Sequence, residues 1–414
     1  MIINNYVPIV KAYIDPGAGS AIFAVAIGLI SIFIYGLKGL LIKIKTGIGI
    51  KRNDTSTHIP FAIYTDSKRY WNVFEPICNE FEKRQVCLKY LTQSKDDPVF
   101  NKKYNFINPE FIGEGNKGIA KMNFLNADIV ISTTPSLDVY QWKKSKNVKL
   151  YVHVTHACND ITSYRMFGSD YYDVILVNGQ YQIDQVRKLE KIRNLPKKEC
   201  KVVGLPYFDE IKKRIGINNK NKNEIPVVLV APSWGESSLI NKYGHLLIDK
   251  LIETGYKIII RPHPQSFISE KNKINELMEM YPTLEWNTDN DNFDILNKAD
   301  ILISDFSGII FDFAIAFEKP IIYTNSGFDS LVFDSTWLDE IPWTFKTLPE
   351  IGEELNKENI NNIKNIIEGC LNNSKYKSAI EKAKLEAWAN IGDSTKLIVD
   401  YLINKEKELG GKQC

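Results

Sequence analysis

The stretch Ile301-Leu302-Ile303-Ser304-Asp305-Phe306-Ser307-Gly308, leading into Ile309-Ile310-Phe311-Asp312 and apolar residues as far as 317, decides the fold. Its first three residues are apolar and β-favouring, Ser304 and Asp305 are cap residues, and the residues beyond Gly308 carry a helical apolar run. Strand, tight turn and helix in that order form part of a βαβ unit, whose strands lie parallel.

The alternation extends in both directions. Downstream the pattern predicts a strand at 320–323 and a helix at 360–371. Upstream it predicts strands at 227–231 and 257–261 and helices at 238–254 and 269–280, while the quoted stretch itself gives a strand at 301–304 and a helix at 308–317. Before residue 215 lies a second series, with strands at 59–64, 86–91, 128–132, 150–154 and 173–177. Its helices are expected at 68–84, 117–126, 136–144 and 180–191. The polar, Asn- and Lys-rich residues 215–224 separate the two series and mark a domain boundary. Residues 375–390 and 394–405 read as closing helices. The expected domains are therefore 58–215 and 225–390, followed by a closing helix and tail at 391–414. Two parallel-sheet α/β domains imply a cleft, and ligands of such sheets sit beyond the carboxyl ends of the strands.

The chain has 414 residues with 52 Lys+Arg against 50 Asp+Glu, 44% hydrophobic and 25% charged, which excludes a disordered or collagen-like chain. Residues 1–57 hold six basic and two acidic side chains, so the remainder is slightly acidic and has no nucleic-acid footprint. Residues 16–37 are 22 consecutive uncharged positions. As a helix they reach about 33 Å, enough for a hydrocarbon core of about 30 Å. Lys38, Lys43, Lys45, Lys51 and Arg52 follow, whereas Lys11 alone precedes. The positive-inside rule then predicts a single-pass inner-membrane protein with its body in the cytoplasm. A cleaved signal peptide would need a basic start and a small-residue cleavage site, and a buried core helix would rarely be so long and uncharged. The six cysteines form no CxxC pair and are read as reduced thiols, with no zinc or other metal site and no cofactor.

Three strand ends carry chemistry. Arg261-Pro262-His263-Pro264 follows an apolar strand; the prolines stiffen the turn, Arg offers a planar fork to phosphate, and His exchanges protons near neutral pH. The bland alternative is a strand-end turn whose side chains only bond backbone. The turn 304–308 has free N–H groups at a helix start, an anion site suited to a diphosphate, with Ser304 and Ser307 as hydroxyl donors. Asp305 is suited to capping or orienting a neighbour, and Asp312 lies one turn further in. Most such turns are plain caps. His153 and His156, in Val152-His153-Val154-Thr155-His156, alternate on a strand and so point apart; a metal pair is not expected. At the strand's end His156 can act as general base toward a hydroxyl.

Taken together, Val230-Ala231-Pro232-Ser233-Trp234, Arg261-Pro262-His263-Pro264, Ser304-Asp305-Phe306-Ser307, Phe311-Asp312-Phe313 and Lys319-Pro320-Ile321-Ile322-Tyr323 resemble the CDP-glycerol glycerophosphotransferase family of teichoic-acid-type enzymes. Asn178-Gly179 with Tyr181 and Asp184, and Gly204-Leu205-Pro206 with Asp209, fit it more loosely. The resemblance spans roughly residues 150–390 and implies a GT-B fold of two Rossmann-like domains. It also implies a metal-independent transferase that takes CDP-glycerol or a related CDP-polyol and releases CMP. It assigns His156 and His263 as catalytic, and Pro232, Arg261, Ser304, Asp305, Ser307, Gly308 and Asp312 as donor-binding. One departure is clear. Where the family has Trp-His-Gly-Thr-Pro-Leu-Lys, this chain has Val154-Thr155-His156-Ala157-Cys158-Asn159-Asp160, which keeps the histidine and loses the Gly, Thr-Pro and Lys. The resemblance implies a glycan or lipid-linked acceptor at the membrane, in building a cell-envelope or capsule polymer. A GT-B glycosyltransferase using a nucleotide sugar and a non-catalytic tethered scaffold are the rival readings.

Overall fold

The computed structural model describes residues 59–217, 223–289, 291–325 and 331–410, with Phe33, Gly36 and Leu37. Apart from those three residues, the expected membrane segment 16–37 lies outside the described residues. Among the described residues no helix is long and apolar enough to cross a membrane. The architecture that follows is that of the unit beginning at residue 58.

Among the described residues, thirteen strands form two parallel sheets. The first has the order β3-β2-β1-β4-β5-β6-β7, with β1 Phe61–Thr65, β2 Leu88–Thr92, β3 Ile107–Phe111, β4 Ala127–Ser132, β5 Val148–Val154, β6 Val174–Val177 and β7 Glu199–Val202. The second has the order β10-β9-β8-β11-β12-β13, with β8 Val227–Val230, β9 Lys257–Ile260, β10 Glu285–Trp286, β11 Ile301–Ser304, β12 Ile321–Tyr323 and β13 Gly352–Glu354. The central strands β1, β4, β8 and β11 are buried throughout, because helices cover both faces; this is why they read as unbroken apolar runs. Register is set by pairs such as Tyr64↔Ser132 and Ile303↔Val230.

The expected central strands and most of the expected helices are present, and the exceptions have physical causes. β3, β7, β10 and β13 lie at or next to sheet edges, where a strand needs no continuous apolar run, so sequences such as Ile107-Asn108-Pro109-Glu110-Phe111 went unread. The helix expected at 136–144 is an irregular loop, since Ser136 and Asp138 adopt left-handed φ of 67° and 62°. Leu137 and Trp142 in that loop still reach the core. Gly308 begins only three α-helical residues, Ile309–Phe311, which continue as the π-helical turn Asp312–Ala316.

Beyond β7, the helix Pro206–Ile217 leads toward the second sheet, and the chain later returns. The last helix, Ser394–Glu408, places Ile398, Val399 and Leu402 in the same core cluster as Phe61, Phe74 and Ile129 of the first half. Buried Asp209 secures this crossing by accepting the amides of Gly392 (2.7 Å) and Ser394 (3.0 Å) and the Trp388 indole N–H (3.1 Å).

Candidate active site

Each sheet has one place where strand order reverses: between β1 and β4 in the first, and between β8 and β11 in the second. The carboxyl ends of those strands splay apart into a crevice, the usual ligand site of an open α/β sheet.

At the second crevice, Ala231-Pro232-Ser233-Trp234 leaves β8 and Asp305-Phe306-Ser307-Gly308 leaves β11. Asp305 is buried and accepts the Ser233 amide at 3.0 and 3.1 Å and the Leu239 amide at 2.8 Å. Burial raises its pKa, while these backbone donors oppose that shift. Ser304 is equally buried and donates its hydroxyl to the Ala231 carbonyl (2.6 Å). Both side chains are therefore committed to shaping the crevice. Pro232 lies buried behind it, and the buried Ser233 side chain faces the Asp305 carboxylate. Ser307 and Gly308 stay half-buried at the mouth, just ahead of the first turn bonds, Ile310 N–H to Ser307 O (3.2 Å) and Phe311 N–H to Gly308 O (3.0 Å).

The Arg-Pro-His-Pro turn leaves β9 beside this crevice. His263 Nδ1 accepts the Gln265 amide at 3.1 Å, which places the proton of the neutral ring on Nε2. Burial lowers its pKa, and the nearby charges of Arg69 and Arg261 lower it further, so near pH 7 it is a neutral donor through Nε2–H. Arg261 donates to the Asn287 side-chain carbonyl and borders a cavity of about 190 Å³ with Pro262, Phe267 and Thr288. Asp312 stands apart from this group. The residue is half-buried on the π-helical turn with its carboxyl turned inward, burial raises its pKa to about 7, and its charge bears on Cys158 and Tyr207 of the first half.

At the first sheet, His156 follows β5 and lines a cavity of about 220 Å³ with Tyr70, Asn159, Tyr164 and Gln182. Its Nδ1 lies 2.7 Å from the Thr133 hydroxyl, beyond the end of β4. When Thr133 Oγ1 accepts the Nδ1 proton, the lone pair is on Nε2, the arrangement a base requires. Tyr70 meets the imidazole edge-on at a centroid distance of 5.0 Å, and Tyr164 stacks at 6.4 Å. Burial, with a contribution from Arg69, pushes the pKa of His156 down to about 4. His153 is fully buried, pairs through Nε2 with the Tyr164 hydroxyl (2.9 Å), and has its pKa pushed by burial to about 3. It is the structural member of the pair. Among the described residues no three His, Cys, Asp or Glu side chains gather as a metal-ligand set.

The two halves meet beside these crevices. A Cβ at Gly308 would lie 3.4 Å from Asn159 Nδ2, so the wall of the His156 cavity adjoins the turn after β11. Next to it, buried Asp160 accepts the amides of Trp343 (2.7 Å) and Thr344 (2.8 Å), capping the helix Trp343–Ile351 of the second half. Asp334, in turn, accepts the amides of Phe167 (2.8 Å) and Gly168 (3.2 Å) and pairs with Arg193. The sequence pointed to the histidines but held no motif to show that Arg69, Tyr70, Thr133 and Tyr164 gather around His156. Their only signal is position, since Arg69, Tyr70 and Thr133 follow the strands that flank the reversal of strand order.

Two parallel α/β halves, each opening a crevice toward the other, define the GT-B architecture. One structure of the wall teichoic acid polymerase TagF superposes with a TM-score of 0.57 at 15% identity, covering 93% of this chain and 98% of that one. A putative UDP-N-acetylglucosamine 2-epimerase from Listeria monocytogenes does so at 0.54 and 13% identity, covering 85% and 98%. At these identities the likeness is one of fold. The sequence match is narrower and more specific. Residues 166–330 match the family described as CDP-Glycerol:Poly(glycerophosphate) glycerophosphotransferase. The teichoic acid poly(glycerol phosphate) polymerase of Bacillus spizizenii is 29% identical over 123 residues, 28% of this chain. The match spans 29% of that curated relative's length.

Proposed function

We propose that this chain transfers glycerol phosphate, or a related polyol phosphate, from a CDP-activated donor to a hydroxyl of a cell-envelope glycan or lipid-linked acceptor. Residues 16–37 tether it to the membrane beside that acceptor. The donor diphosphate sits against the Ser307-Gly308 turn, and the acceptor enters the His156 cavity. His156 Nε2 takes the hydroxyl proton as the acceptor oxygen attacks the β-phosphorus. The bond from that phosphorus to the bridging oxygen breaks, and CMP leaves with the electron pair. His263 donates an Nε2–H hydrogen bond to the departing phosphate, supporting its charge through a preorganised dipole.

The observation that carries this reading is the contact of Asn159 with Gly308. Asn159 also lines the His156 cavity, so that cavity and the turn after β11 adjoin, which supports one cleft serving both substrates. The test is a donor screen on the full chain in detergent with CDP-glycerol, CDP-ribitol, UDP-sugars and CMP-sugars, measuring nucleotide release. CMP release from a CDP-polyol, lost in His156→Ala and reduced in His263→Ala, is expected. Preference for a nucleotide sugar would keep the fold and overturn the reaction. For the tether, a chain lacking residues 1–57 should leave the membrane fraction; a full-length chain found free of membranes would defeat that part.

A further inference from the structure

Resting on the reaction just proposed, we infer that Arg69 is the cation the first half supplies to the transferred phosphoryl group. Arg69 belongs to the short 3-10 turn Lys68–Tyr70, which follows β1 at the reversal point of the first sheet. The turn is held in place locally: Ser67 caps it, and Asp66 is tied to the β4 side by the Thr134 hydroxyl at 3.1 Å. The side chain is exposed, and no carboxylate among the described residues pairs with it. Its guanidinium lies 4.6 Å from the centre of the Tyr70 ring, and that ring is 5.0 Å from His156. Arg69 is thus one aromatic ring away from the base. Its charge also reaches His263 of the second half, so it stands where both histidines feel it.

A guanidinium at that point, whose neighbour is the Tyr70 side chain and not a carboxylate, has a specific chemical use. In phosphoryl transfer, charge spreads over the three equatorial oxygens, and a planar donor fork matches two of them. Arg261 is less available for this, because its guanidinium already bonds Asn287. Stacking on Tyr70 holds the long Arg69 side chain in a limited range of directions, which lowers the entropic cost of engaging the phosphoryl group. The same cation helps keep His156 neutral, ready to accept a proton. The other groups facing His156 are the neutral side chains Thr133, Tyr70 and Tyr164, with buried His153 behind it. The carboxylates around the same turn are Asp66, held by Thr134, and Asp96, paired with Lys68, while Asp160 is engaged with the amides of Trp343 and Thr344.

The test compares the full chain with Arg69→Gln and Arg69→Lys. With CDP-glycerol, Arg69→Gln should lower kcat about 100-fold or more, as loss of a transition-state donor does, with Arg69→Lys recovering part of it. The acid limb of its kcat/KM profile should move to higher pH, because His156 loses a neighbouring cation. Binding provides a readout independent of turnover: CDP carries the β-phosphate and CMP does not. The wild-type preference for CDP over CMP should fall about tenfold in Arg69→Gln, with an unchanged melting temperature. A variant with wild-type kcat, acid limb and CDP preference would overturn the assignment while leaving the proposed reaction standing. A wild type that binds neither nucleotide would overturn both.

Discussion

The two crevices at the heart of this molecule are built in opposite ways. In the second half, the motif residues are mostly engaged with one another: Ser304 holds Ala231, and Asp305 holds Ser233 and Leu239. What remains for a ligand is the rim, namely Ser307, Gly308 and the Nε2–H of His263. In the first half, the side chains around His156 come from short separate segments around residues 69–70, 133 and 156–164, and they meet through rings and one 2.7 Å contact. A crevice whose walls bond to each other must keep several residue types together, and it leaves a motif. A crevice assembled from single side chains on separate turns leaves almost none.

Breaking the first crevice at its base should have the largest effect. His156→Ala is expected to reduce CMP release by about 10²- to 10⁴-fold with little change in folding, the usual cost of losing a general base. Loss of folding instead would mean that His156 is structural like His153. Breaking the second crevice should show up in stability. Asp305→Ala leaves the Ser233 and Leu239 amides buried without their acceptor and should cost about 3 kcal/mol, read from urea unfolding. An unchanged midpoint would show that water replaces the carboxylate.

Asp312 separates the two kinds of role by pH. Its folded pKa of about 7 lies above the ordinary 3.8, so the folded chain retains a proton that the unfolded chain releases. That contribution is fully present below the unfolded value and is lost as pH rises toward 7. Asp312→Asn should therefore stabilise the protein at pH 8, by about 1–2 kcal/mol after screening, and do little at pH 4. His153 and His156 act in the opposite sense. Both have folded pKa values below 6.5, so the unfolded chain takes up protons first and stability declines as pH falls from 6.5 toward 4. A thermal melt series across this range checks both.

The smallest effects form a matched pair. Ser304→Ala should lose about 1 kcal/mol of stability and leave donor affinity unchanged, whereas Ser307→Ala should weaken donor binding severalfold and leave stability unchanged. The reverse pattern would make Ser307 part of the wall and Ser304 part of the rim.

Much of this molecule is legible in its sequence alone. The buried central strands had to be unbroken apolar runs, and short β-rich runs alternating with helices permit little besides parallel sheets. The turns after β9 and β11 were visible because contiguous residues carry their chemistry. The edge strands were not, since pairing on one side demands little of side chains. Nor could sequence tell that Ser304 and Asp305 serve the wall: Asp305 and Ser233 are 72 positions apart, and their hydrogen bond exists only once β8 and β11 lie side by side. The same holds for Asn159 against Gly308 and for Arg69 beside Tyr70 and His156. Local pattern determines which segments become strands, helices and turns, because burial and backbone bonding act along the chain. Which polar groups remain free for chemistry is decided by long-range pairing, which satisfies some and leaves others facing the cleft.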